Sequence, residues 1–212
     1  MIKKFGVKNF SCFKEGIEVD FTFDGNVPKS ISKNKDFSTV LGIKGGNGSG
    51  KTNIIKVIEF LSDFCGRGSG TELNNDEKIS VDSFFKNPNP SEFYIEFEIN
   101  NINYSYELSV SQERIFSEIL HKKTARRTKI LERKDNDIIF TSPELKELET
   151  IQLKSNSSII SQVDKYRFKT EMQDLKATSR FFIRIITNVY YFGYFDYERS
   201  VNDISKTYSS DP

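Results

Sequence analysis

Eight consecutive residues, Gly45-Gly46-Asn47-Gly48-Ser49-Gly50-Lys51-Thr52, satisfy the pattern G-x-x-x-x-G-K-[ST], and those types at that spacing serve one chemistry, the holding of phosphate. Glycines let successive backbone N–H groups turn inward as an anion-binding nest, and a helix that begins at the end of the loop adds its positive dipole end. The pattern sets Lys51 to reach the β- and γ-phosphates of a nucleoside triphosphate and the Thr52 hydroxyl to ligate Mg²⁺. The candidate binding set is Gly45, Asn47, Gly48, Ser49, Gly50, Lys51 and Thr52, with Thr52 as the metal ligand. No residue is assigned a catalytic role.

Such a loop needs a buried strand before it and an amphipathic helix after it. Ser38-Thr39-Val40-Leu41-Gly42-Ile43 is a short apolar, β-branched run and is expected to be that strand, covered on both faces. Downstream, Ile54, Val57, Ile58, Leu61 and Phe64 recur at helical spacing, and Gly66 stands where a helix C-cap is expected.

A chain of 212 residues with nineteen Phe and nine Tyr can bury a real core. Basic and acidic residues balance, 31 against 30, so a polyanionic partner would have to be met by a local patch. Cys12 and Cys65 lack metal-ligand spacing, and with His121 the single histidine no ordinary zinc site can be assembled. Both are expected to be reduced, buried thiols. No signal peptide or membrane-length apolar run is evident, so a soluble, cytoplasmic protein with no membrane partner is expected.

Four segments are expected along the chain. Residues 1–65 hold N-terminal strands over Met1 to Phe10 and Ile17 to Phe23, then the loop's strand and helix. Residues 66–92 form a mobile connection anchored by Val81, Phe84 and Phe85. Residues 93–141 alternate apolar and polar in short runs divided by turns at Asn100-Asn101, Thr124-Ala125 and Asp135-Asn136. That spacing predicts an antiparallel meander, because parallel strands would need long crossovers. Residues 142–212 form a helical segment and tail: a helix starting at Ser142-Pro143-Glu144, one within Ser157 to Tyr166, and a longer one from about Lys169 to Asn188.

The loop sequence continued through Asn53 resembles that of ABC-type ATPase heads. Near the N-terminus, Val7-Lys8-Asn9-Phe10-Ser11-Cys12-Phe13 is similar to the N-F-x-S-F segment that opens the heads of the SMC, Rad50, RecF and OLD-like group, with Cys12 standing where Ser is usual. The likeness covers roughly the first 65 residues. It implies an α/β fold, a P-loop NTPase of ABC-head type with an antiparallel β lobe and the start of a helical lobe. It further implies ATP and Mg²⁺ as cofactors, the amides of Asn47 to Thr52 on the phosphates, and a second head pairing around ATP. A nuclease or effector subunit in DNA maintenance or antiphage defence is the implied partner.

Hydrolysis in such heads needs an apolar strand ending in adjacent acids, and a signature segment supplied by the other head. Neither is found: Glu96 and Glu98 alternate with apolar residues as a solvent face would, and Asp196 and Glu198 follow an interrupted aromatic run. Arg67, just past the helix, is a loose match to a nucleotide- or DNA-sensing arginine. Lys122, Lys123, Arg126, Arg127 and Lys129 crowd one hairpin tip and are candidate contacts to nucleic-acid phosphates. ATP hydrolysis is therefore expected only with further elements or a partner chain; the alternative is a non-hydrolysing ATP-binding scaffold module.

Overall fold

The computed structural model describes residues 1–33, 35–68, 77–187 and 189. Seven strands form one antiparallel sheet: β1 (Ile2–Lys8), β2 (Ile17–Asp20), β3 (Ser91–Ile99), β4 (Ile102–Val110), β5 (Ile115–Lys123), β6 (Arg127–Lys134) and β7 (Asp137–Thr141), in the order β2-β1-β3-β4-β5-β6-β7. From β3 onward each strand pairs with the next, as the period-two pattern and short turns predict. At the β3–β4 turn Asn100 and Asn101 both take positive φ, 50° and 62°, a conformation asparagine tolerates better than most residues. The N-terminal strands join the same sheet, since β1 lies between β2 and β3. The expected boundary at residues 92/93 thus runs through one sheet.

Helix α1 (Lys29–Ser32) is a single exposed turn in the loop after β2. Helix α2 (Lys51–Leu61) follows the phosphate loop as expected, burying Val57, Ile58, Phe60 and Leu61. Phe60 stacks on Phe93 of β3 at 4.6 Å between ring centroids, which fixes the helix on the sheet. The chain does not stop at Gly66. It winds on as a π-helical turn over Ser62–Arg67 and ends at Gly68, whose φ of 71° is the left-handed cap. Gly66 serves close packing instead: a Cβ there would stand 2.7 Å from the backbone nitrogen of Ile183.

The expected helix at Ser142 is a 3-10 segment, Pro143–Thr150. Helix α3 (Ile159–Gln162) is capped by Ser158, whose hydroxyl accepts from the Ile160 amide. Helix α4 (Gln173–Ile183) is shorter than its apolar stripe suggests, starting after Met172 in a left-handed conformation. Its Phe181 stacks on Phe97 at 4.1 Å, so α2 and α4 both pack on the aromatic side of β3 and β4.

One expected element is absent among the described residues. Ser38–Ile43 is not a strand, and Val40 is 79% exposed, with Leu41 and Ile43 also open. A buried parallel strand is made by its neighbours, and none of the seven strands pairs with it, although the Ser38 amide donates to the Phe21 carbonyl just past β2; the order above leaves β2 and β7 as the edges. Ile79 and Val81 anchor the connection after α2, whereas Phe85, expected as an anchor, is 87% exposed.

Candidate functional site

The phosphate loop turns into α2 through two glycines of left-handed conformation, Gly48 (φ 79°) and Gly50 (φ 88°). Gly50 is the N-cap of α2 and has no side chain to compete for the amides that follow. Lys51 Nζ donates to the carbonyl oxygens of Gly45 at 2.8 Å and Gly46 at 2.6 Å, so its ammonium lies folded over the loop. Thr52 is exposed at the start of the helix. Free amides at a helix N-terminus, an ammonium and an exposed hydroxyl form the donor set for a polyphosphate with a hard divalent cation. The residues present fit the polyphosphate of a nucleotide with Mg²⁺. Gly45, Asn47, Gly48, Ser49, Gly50, Lys51 and Thr52 all lie on this one loop and helix start.

The floor of the loop is the N-terminal turn. Phe10 and Phe13 exchange backbone hydrogen bonds and close Phe10–Phe13 tightly. Asn9 fixes that turn: its amide nitrogen donates to Asn87 Oδ1 and to the carbonyls of Asn89 and Pro90, while Asn87 Nδ2 donates back to Asn9 Oδ1. Cys12 then lies against the loop, with Asn53 Nδ2 donating to its Sγ at 3.0 Å. Contrary to expectation Cys12 is exposed; Cys65 is buried, and burial pushes its thiol pKa up.

Arg67 is a structural residue. Its guanidinium donates to Glu59 Oε1 and to the carbonyl of Ile185, both at 3.3 Å, tying the π-helical turn to the end of α4. Glu59, almost fully buried on α2, also accepts from the Thr187 hydroxyl. Glu96 is exposed on the outer sheet face and Glu98 pairs with Lys3 at 2.6 Å. Asp196 and Glu198 lie outside the described residues. Among the described residues no cluster of three His, Cys, Asp or Glu could hold a metal ion.

The basic hairpin is less bare than its sequence. Lys122 pairs with Asp174 of α4 at 2.9 Å, Arg127 with Glu107 of β4 at 2.6 Å, and Lys129 with Glu132 at 2.6 Å. Lys123 and Arg126 remain exposed at the tip.

Sequence reasoning misses a buried polar network that reaches the far end of the P-loop helix. Fully buried Glu118 faces fully buried Arg133 at 3.6 Å and accepts from Tyr106, Ser158 and the Ile159 amide. Arg133 also donates to the carbonyls of Asp135, Ser157 and Lys154. Tyr106 in turn accepts from Cys65 on the π-helical turn, so one polar chain joins β4, β5 and β6 to α3 and to the end of the P-loop helix. The period-two pattern places Glu118 and Arg133 on strands, but nothing local says that they meet.

Sheet, loop and helix together define a P-loop nucleotide-binding domain of ATPase type. The chain belongs to the family described as "AAA domain, putative AbiEii toxin, Type IV TA system", whose model matches residues 40–204. No curated protein matches the chain. Among the described residues no helix is long and apolar enough to cross a membrane.

Proposed function

We propose that this chain is the ATP-binding portion of an ABC/SMC-like ATPase head, of the SMC, Rad50, RecF and OLD-like kind. It pairs with a second head around ATP and gates a nuclease or effector partner in DNA maintenance or antiphage defence. The observation that carries the reading is the left-handed Gly50 cap that presents the amides of α2 beside Lys51 and Thr52. The N-F-x-C-F turn, seated directly under the loop, supports the head type. The matching family's mention of a Type IV toxin–antitoxin system supports a defence role with a partner.

Lys51 would leave the loop carbonyls and hold the β/γ-phosphates, the amides of Asn47 to Thr52 the phosphate oxygens, and Thr52 the Mg²⁺. Phosphoryl transfer depends on positioning and on neutralising charge at the transferred group. This chain's cradle does the holding; of the acids beside apolar residues, Glu98 pairs with Lys3 and Glu96 is exposed on the sheet. That observation favours a second reading, a module that binds ATP to organise an assembly without hydrolysing it.

Titration with a fluorescent ATP analogue and Mg²⁺ tests the binding, with Lys51→Ala as the comparison. Micromolar binding that disappears in the variant is expected; equal binding by both refutes the site. A multiple-turnover phosphate-release assay separates the two readings: turnover by this chain alone overturns the account in which its hydrolytic acids are elsewhere. Nucleic-acid contact at the β5–β6 hairpin narrows to Lys123 and Arg126. Replacing both with Ala should lower the salt slope of DNA binding by about 0.9 for each phosphate no longer neutralised, and an unchanged slope rules it out.

A further inference from the structure

The space beneath the Gly50 backbone is already filled. A Cβ built on Gly50 would stand 2.9 Å from Cys12 Sγ and 3.3 Å from the Phe13 ring, so the sulfur and the ring together form the surface on which the helix start rests. Asn53 Nδ2 donates to the same sulfur at 3.0 Å, one residue past Thr52. The turn that carries Cys12 and Phe13 is itself held. Phe10 at its start is fully buried against Phe93 and Phe60, Ser11 donates its amide to the Asp82 carbonyl, and Asn9 is locked to Asn87. A fixed turn of the sheet thus sets the height and tilt of the first turn of α2, which carries the phosphate-binding amides.

We propose that Cys12 and Phe13 are positioning residues for nucleotide binding: they hold Gly50 and Asn53 where the amides of Gly50 to Thr52 converge on phosphate. The inference rests on the P-loop's being the nucleotide site. Sulfur size and its capacity to accept from Asn53 are the properties used. Serine keeps the acceptor at slightly smaller volume, alanine removes it, and leucine overfills the space against a turn that cannot retreat. Because Cys12 is an exposed residue while Cys65 is completely buried, one enlargement can also be made on the folded chain. With methyl methanethiosulfonate the Cys12 thiolate attacks the sulfenyl sulfur, an S–S bond forms, and methanesulfinate departs; excess dithiothreitol reverses it.

The test measures affinity for a fluorescent ATP analogue with Mg²⁺, and competition by inorganic triphosphate, which reads the cradle without the base. It uses the wild-type chain, Cys12→Ser, Cys12→Leu, Phe13→Ala and Lys51→Ala, with thermal unfolding of each and intact mass to count adducts. Cys12→Ser is expected within about twofold of wild type. Cys12→Leu, Phe13→Ala and methanethiolated wild-type protein should bind analogue and triphosphate about tenfold to a hundredfold more weakly at a temperature where all are folded. Dithiothreitol should restore the last of these. A merely structural role lowers the melting temperature and leaves the affinity of the folded protein unchanged, and that result overturns the inference. So does unchanged affinity with the adduct in place, or a loss in Cys12→Ser as large as in Cys12→Leu. Wild-type binding no better than Lys51→Ala overturns the nucleotide reading, and the inference with it.

Discussion

Gly46 and Gly50 stand four residues apart in one loop, yet the backbone asks different things of them. Gly50 combines a φ of 88° with a Cβ position blocked by Cys12 and Phe13; Gly46 has an ordinary φ and open space around it. Forcing an L-residue into the left-handed region costs about 1–2 kcal/mol before any clash is counted. Gly50→Ala is therefore expected to lower thermal stability and to weaken nucleotide binding at least tenfold, with Gly46→Ala near wild type in both; equal behaviour of the two contradicts this account of the loop. His121 on β5 makes a second prediction. Burial pushes its pKa down, the Arg127 guanidinium adds to that and Lys129 opposes its charge too, while Glu107 and Glu132 pull the other way. With the native pKa below the unfolded value, the unfolded chain binds the extra proton first. Stability therefore falls as pH drops through the ordinary histidine range near 6.5. Urea midpoints at pH 7.5 and 5.5 should converge in His121→Gln relative to wild type, and an unaltered gap assigns the acid sensitivity to other groups.

Helix α2 shows how far local pattern reaches. Its start is legible in the loop motif and its buried face in the 3.6-residue spacing of Ile54, Val57, Ile58 and Leu61, because both are set within a few residues of chain. Its end is not. Gly66 reads as a cap by composition, but the π-helical turn carries the chain two residues further, and the close packing that asks for glycine at 66 comes from Ile183 of α4, 117 residues away. The same distance problem hides the partners of the basic hairpin, whose counter-charges Glu107 and Asp174 belong to other elements. Gly66→Ala should thus behave as an overpacking change, lowering stability by about 1–3 kcal/mol in urea denaturation, although its φ is ordinary. The Glu118–Arg133 pair is equally out of reach. Breaking it by Arg133→Met leaves a buried carboxylate facing nothing of opposite charge, and a loss of about 3–5 kcal/mol is expected. Replacing both partners by apolar residues should recover part of that loss, and no recovery argues that Arg133's carbonyl contacts, not the charge pairing, hold the network.

Across the whole molecule the two sides of the P-loop differ in how they are held. The meander is readable from sequence because antiparallel neighbours are sequence neighbours, and their inward rows bury Phe93, Ile95, Phe97, Tyr106, Leu108 and Leu120 almost completely. The run Val40–Ile43 has the composition of a strand without its structure: a parallel strand needs a paired neighbour, and among the described residues no strand pairs with this run, which borders an open apolar cleft of about 250 Å³ against Phe5, Phe21 and Ile58. Segments with little buried surface open locally at a small fraction of the global unfolding free energy, whereas core strands exchange their amide protons only by large-scale opening. Hydrogen exchange should therefore find the amides of residues 38–49 among the fastest of the structured chain, with β3, β4 and β5 the slowest. Adding Mg²⁺ and an ATP analogue should slow residues 47–52 selectively, because phosphate oxygens accept from those amides, and leave Val40–Ile43 fast, because a nucleotide supplies no strand to pair with. Strong basal protection of Val40–Ile43 would show that this run is already paired in solution. Protection spreading to it with nucleotide would show that ATP binding brings a pairing strand to this run.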